Sequence, residues 1–238
     1  MGCTGSQTSQ MNIKRDWIID FDEDQFIEVQ GEGFTRLLKG LNRRDEWKAA
    51  LAEAHRLIQP AAVWDSFAIR EVHHENLLLA SGVSIGGGPV TTVVAGATDL
   101  IVAVCTIGPD VERRAGALQR SNKMFQAMML SDLGSWAVDS LRQKLCQWLM
   151  EDSAHRGLRV SASLSPGESE WSVKDQSTIF SLIDSSSIGV SLSPSLVMSP
   201  IKSLSLIMGT GAQSMGVEGS SNCDFCTLRD RCNFRILR

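Results

Sequence analysis

Tyrosine is absent from all 238 residues, and aromatic residues of every kind make up only 6% of the chain. A phenol is therefore excluded as a ligand contact, a general acid or a nucleophile. Six cysteines are too few for a disulfide scaffold, and no charged-then-apolar leader opens the sequence. Together these features read as a protein of the reducing cytoplasm. No apolar run reaches ~18 residues, so no segment is expected to span a membrane. The formal charge of −4 gives no broad cationic field, which excludes nucleic acid and an anionic membrane as partners of the body of the chain. The four histidines stand in no arrangement with a nucleophile that signals hydrolase catalysis. His73 and His74, adjacent in sequence, would face opposite sides of a strand and chelate no common metal; a loop or strand end suits them.

What is present is the make-up of an ordinary globular protein, 43% hydrophobic and 21% charged. We read a flexible polar tail over 1–12, one compact domain over 13–211, and a Gly/Ser linker with a cysteine-rich tail over 212–238. Met1-Gly2-Cys3 fits the short N-myristoylation pattern, but that pattern is common and a disordered leader is the preferred reading. The acidic run Asp20, Asp22, Glu23, Asp24 and Glu28 reads as a solvated face. Trp47, Ala50, Leu51, Ala54 and Ile58 recur at helical spacing until Pro60 ends the run. Strand-like runs follow at Ala62 to Val72, Asn76 to Ala80, Val90 to Val94 and Leu100 to Thr106. Ile85-Gly86-Gly87-Gly88-Pro89 lacks the Lys-Ser/Thr and following helix of a phosphate loop and reads as a hairpin turn.

Pro109 is placed to start a helix whose N-terminal dipole Asp110 and Glu112 complement. A long helix is expected from about Asn122 to Met150, with Met129, Leu133, Ala137, Leu141, Leu145 and Trp148 as its apolar stripe. Asp132, Ser135, Asp139 and Cys146 project from a neighbouring face, because offsets of three, four and seven return to one side of a helix. The expected fold class is α+β: a mostly antiparallel twisted sheet flanked by helices, with one long central helix.

From Ser163 to Gly211 the order of elements is distinctive. A Pro166-Gly167 turn leads to a Trp171-led amphipathic helix, a short strand at Ile188 to Leu192, a Met198-Ser199-Pro200 corner and a strand ending in Gly209-Thr210-Gly211. In this stretch the chain resembles the S-adenosylmethionine-binding reactivation domain of cobalamin-dependent methionine synthase, and more closely its short stand-alone relatives. The resemblance covers the organisation from about Ala61 to Gly211. It is specific in Ser165-Pro166-Gly167, Trp171, Gln176, Phe180, Ile188-Gly189-Val190, Leu192, Met198, Pro200, Lys202-Ser203 and Gly209.

The resemblance implies a ligand groove at Ser163, Ser165, Pro166, Gly167, Glu168 and Met208, with Asp139 standing where the long helix of the family supplies a carboxylate. It also implies a site role for Glu112, which the relatives carry after a similar Thr-Ile-Gly. The departures fall on the ligand-gripping side chains: Ser163 stands at the family's Arg, and Glu168 and Met208 at its two Tyr positions. A serine cannot replace a guanidinium that pairs with a carboxylate, and Arg159 is the upstream cation left to compensate. The implied activity is an accessory role in reactivating a corrinoid-dependent methyltransferase, by methylation of Co(I) after reduction of Co(II). S-Adenosylmethionine is the inherited ligand, the cobalamin is carried by a corrinoid-binding partner, and an electron-donor protein completes the set. The alternative is a noncatalytic docking or electron-relay module that has lost the methyl donor.

Near the end of the sequence, Cys223, Cys226 and Cys232 form a C-x2-C-x5-C pattern. Two thiolates in a C-x2-C knuckle reach one metal, and the third cysteine points to zinc or an iron-sulfur cluster. A fourth ligand would come from Cys3, Cys105, Cys146, a histidine or another chain. Arg229, Arg231, Arg235 and Arg238 make this segment basic.

Overall fold

In this computed structural model, which describes residues 11–40, 43–168 and 170–216, the chain begins with β1 (Asn12–Lys14), α1 (Glu23–Leu38) and α2 (Arg43–Leu57). Then come β2 (Ala61–His73), β3 (Asn76–Leu79), β4 (Ser84–Gly86), the one-turn α3 (Val90–Val93) and β5 (Asp99–Thr106). The helical hairpin α4 (Asp110–Arg120) and α5 (Met124–His155) leads to β6 (Arg159–Val160) and α6 (Gln176–Leu182). The small ribbon β7 (Ser191–Leu192) and β8 (Met198–Ser199) precedes the last strand, β9 (Ser203–Gly211). The large sheet has the order β4-β3-β2-β5-β9-β6, entirely antiparallel. β1 pairs with the first residues of β2, and β3 with its last, across a bulge between Ile69 and Glu71.

Why β5 sits at the centre is written in its sequence, DLIVAVCT. Leu100 to Thr106 are all buried, because both faces of the strand are covered and neither can be polar. On one face Ile101, Ala103 and Cys105, with Leu206 and Met208 of β9, meet the helices α1, α2, α4 and α5. Leu100, Val102 and Val104, with Ile207, pack on the other face against Leu77, Ile85, Val93, Trp171, Ile179 and Val190. The two cores share a sheet only one backbone thick, so β5 and β9 couple them mechanically.

α5, with 32 residues, spans about 48 Å at 1.5 Å per residue. Its buried residues include Met129, Leu133, Ala137, Leu141 and Leu145, the expected stripe; Trp148 is partly buried and packs edge-on against Trp64 at 5.0 Å. Gly134 lets α4 approach closely, since a Cβ there would lie 2.8 Å from the Val111 side chain. No helix among the described residues is long and apolar enough to cross a membrane.

Several local expectations change. The acidic run is largely exposed, as a solvated face should be, and it also opens α1: Asp22 caps it by accepting from the Gln25 N–H, and Glu23 and Asp24 lie in its first turn. A break at Gly31, with φ of +78°, disguises its period, so apolar spacing does not reveal one straight helix. Val90 to Val94 is not a strand; Val90 and Val93 are buried on one turn of helix, and a turn lets i and i+3 share a face where a strand would separate them. The glycine run before it is not the tip of a hairpin but the exit from β4, while the β3/β4 turn is at Ala80 to Val83. The helix after Trp171 begins at Gln176, behind a 3-10 turn at Val173–Asp175. Ile188 ends another 3-10 turn, with Gly189 left-handed, so the strand there is only Ser191–Leu192.

Candidate functional site

The turn after β6 and the middle of α5 come together at one polar cluster. Leu164 bridges to Ile207 of β9, which seats the turn against the sheet, and Glu168 N–H donates to the Ser165 carbonyl at 3.0 Å. Gly167, with φ of +94° and no atom near its missing Cβ, gives the turn its open outer edge. Glu168 then folds back: one carboxylate oxygen accepts from the Ser165 N–H at 3.2 Å, the other from Arg142 Nη1 at 3.0 Å. Arg142 Nε lies 3.7 Å from Asp139, whose other oxygen accepts from Gln143 at 2.7 Å. The Arg142 side chain is 14% exposed, against 35% for Glu168 and 29% for Asp139. Burial works against the guanidinium cation, but Glu168 and then Asp139 outweigh it and hold its pKa above the ordinary value.

Beneath this cluster are two free thiols. The Ser163 hydroxyl hydrogen-bonds Cys146, whose pKa is nevertheless raised, chiefly by burial. Cys105, on β5, is fully buried, and burial followed by the nearby Cys146 pushes it up to about 12. A thiol of that kind presents almost no thiolate. Iodoacetamide at about pH 8 is expected to leave Cys105 unlabelled in the native protein and to modify it on unfolding. Peptide mass mapping checks this, and rapid native labelling would show the β5/α5 seam to be open.

The sequence-predicted residues therefore divide. Asp139, Ser163, Ser165 and Glu168 meet at the cluster, with Pro166 and Gly167 forming its rim. Met208 lies in the helix-side core, 1% exposed. Arg159 Nη1 donates to Ser214 Oγ at 2.9 Å. The cation at Glu168 is Arg142, which sequence reasoning passed over. A signal was there: Arg142 is three residues after Asp139 and four before Cys146, on the same helical face. Ser165 Oγ is buried without a hydrogen-bond partner among the described residues, an unsatisfied group of the sort that a ligand or water completes.

Glu112 belongs to a second centre. Its carboxylate accepts from the Ile201 N–H at 2.9 Å, and Lys202 Nζ donates to Ser135 Oγ at 2.7 Å. With Asp132 they line one end of a cavity of about 1040 Å³ between α4 and the start of α5, floored by Val111, Ala115 and Phe125 and edged by Met124, Met128 and Ile201. Seven residues, or about 10 Å of helix, separate Asp132 from Asp139. Desolvation raises the Asp132 pKa, with Lys202 opposing it, and desolvation lowers that of Lys202. The folded state thus holds the Asp132 proton more tightly than the unfolded chain, so this residue's stabilising contribution is present in acid and lost as pH rises through its folded pKa. Asp132→Asn is expected to flatten the stability slope in the window just above the ordinary aspartate range. Urea midpoints measured across that window test it, and an unchanged slope would refute it.

No family model matches the chain, and no curated protein sequence matches it either. Among solved structures, the crystal structure of the MetH reactivation domain bound to AdoHcy superposes with a TM-score of 0.64, covering 86% of this chain and 79% of that one. The fold is that of the MetH reactivation domain. Identity over the match is 13%, so the likeness lies in architecture. The antiparallel sheet and the long α5 match this reactivation-domain fold.

Cys223, Cys226 and Cys232 lie outside the described residues, as do Cys3 and the rest of the leader to residue 10. Among the described residues no group of three or more His, Cys, Asp or Glu side chains is placed to hold a metal ion.

Proposed function

We propose that this chain is an accessory protein for the reductive reactivation of a corrinoid-dependent methyltransferase, acting on cobalamin carried by a partner. The observation that carries this reading is the convergence of Asp139 with Ser165 and Glu168 around Arg142, within a fold shared with a reactivation domain that binds AdoHcy. AdoHcy is the demethylated counterpart of S-adenosylmethionine, which supplies a methyl group on an electrophilic sulfonium. In the proposed reaction the partner's Co(II) takes one electron to become Co(I), which attacks that methyl carbon and releases the thioether. The contribution of this chain is positioning and exclusion of water, not acid-base chemistry. Arg142 would anchor the Glu168 turn, Ser165 would offer its unsatisfied hydroxyl, and the Pro166-Gly167 edge would let the ligand approach the backbone.

The test is methyl-corrinoid formation on a Co(II) corrinoid protein with a low-potential reductant. The full chain should accelerate it, and only when S-adenosylmethionine is present. A second reading is a noncatalytic docking or electron-relay module, and it is favoured by one feature: both carboxylates already occupy the guanidinium that a ligand carboxylate would need. Stable capture of the corrinoid protein without acceleration would support that reading instead. Iron and sulfide analysis of anaerobically purified protein would decide the relay version, because Cys223, Cys226 and Cys232 are its proposed ligands; a colourless, zinc-only protein would exclude it.

A further inference from the structure

We propose that the cluster of Asp139, Arg142 and Glu168 selects the methylated sulfonium form of its ligand over the neutral thioether product, with Glu168 setting the preference. This rests on the reading that the Ser165 to Glu168 turn takes an S-adenosylmethionine-type ligand.

The argument is one of charge. One guanidinium against two carboxylates leaves the cluster with one net negative charge. Among the described residues the charged side chains paired with Arg142 are Glu168 and Asp139, so the excess within this cluster is carboxylate. Arg142 is shielded and held from both sides, whereas the two carboxylates are about twice as exposed. A ligand approaching from solvent therefore meets carboxylate before guanidinium. An α-carboxylate finds no spare positive charge there. A ligand cation, ammonium or sulfonium, is complemented by a site partly withdrawn from water, where Coulomb attraction exceeds its value in bulk solvent. S-Adenosylmethionine carries one carboxylate, one ammonium and one sulfonium; loss of the methyl group removes the sulfonium charge. The site thus matches the donor in net charge and holds the product less tightly, which favours exchange of spent for fresh ligand.

Binding of three ligands to the full chain tests this: S-adenosylmethionine, S-adenosylhomocysteine and decarboxylated S-adenosylmethionine, each by calorimetry at about 20 mM and about 300 mM salt. The donor is expected to bind about tenfold tighter than the thioether at low salt, with the gap narrowing at high salt. The decarboxylated ligand should bind at least as tightly as the donor, the reverse of a site built on a free arginine. Glu168→Gln should reduce the donor preference to about twofold or less while both ligands still bind, and Asp139→Asn should reduce it in part. Thermal unfolding of both variants confirms that they are folded. Equal binding of donor and thioether, or a large loss on decarboxylation, overturns the charge-selection proposal while leaving the ligand reading intact. Absence of binding by all three at millimolar concentration overturns the methyl-donor reading itself, and the inference with it.

Discussion

Trp47→Ala is expected to lower the stability of the domain by about 3–5 kcal/mol, the range for deleting a large aromatic side chain from a packed core. Trp47 is fully buried. Its ring stacks on Phe26 at 4.9 Å and meets Phe34 edge-on at 5.4 Å, while Phe26 in turn meets Trp136 of α5 at 5.6 Å. The indole N–H also donates to Glu23 at 2.9 Å, tying the first turn of α1 to α2. Phe26 and Phe34 are the buried residues of α1, and both rest on this one side chain. The truncation therefore opens a cavity and removes the ring that joins both phenylalanines of α1 to α2. Urea unfolding measures the loss, and hydrogen exchange should show α1 losing protection before β5. A shift below about 1 kcal/mol would mean that the helices repack freely and that α1 is not docked as described.

Arg142→Met is expected to cost about 2–3 kcal/mol, less than the about 3–5 kcal/mol for breaking a fully buried ion pair, because Glu168 is partly screened by solvent. Methionine keeps most of the stem volume, so the loss reports charge rather than a cavity. What remains is two carboxylates, Asp139 and Glu168, facing each other without the cation that joins them. The double variant Arg142→Met, Glu168→Gln should recover much of the loss, since an uncompensated charge is worse than a neutral pair. The pH dependence has a definite sign. Without Arg142 the two carboxylates repel, acid relieves that repulsion, and stability relative to wild type improves as pH falls. Thermal or urea unfolding of wild type, single and double variants, at neutral and mildly acid pH, completes the cycle. A single variant as stable as wild type, or a double variant less stable than the single, would remove the cluster from the account of how the turn is held.

How much of this was legible beforehand differs between elements. The long helix, the strands β2, β3 and β5 and the terminal β9 follow from patterns that are local and unbroken, such as the stripe from Met129 to Leu145. α1 escaped because its period breaks at Gly31 and its acidic first turn looks like any solvated run. Val90 to Val93 escaped because four β-branched residues have strand propensity, and only burial against the core around Leu100 and Val102 makes one helical turn the better solution. Asp139 and Glu168 were separately identified as site residues through the family resemblance. Their meeting point, Arg142, was not, since on a helix it reads as one more exposed charge three residues from an acid.

By itself the sequence determined the class of fold: local periodicity sets the long helix and the main strands, and strands covered on both faces have to be apolar throughout. It also determined that no tyrosine can serve the site. Only the tertiary structure decided which charges share that site. The Arg142 to Glu168 contact joins residues 26 apart in sequence through a turn seated on β9, and no helical or strand period connects them. Glu112 was moved to another centre for a similar reason, because it depends on where the loop before β9 delivers Ile201 and Lys202. Electrostatic partnership depends on distance in space, and in this protein that distance is set by the packing of α5 and the Ser165 to Glu168 turn against one sheet.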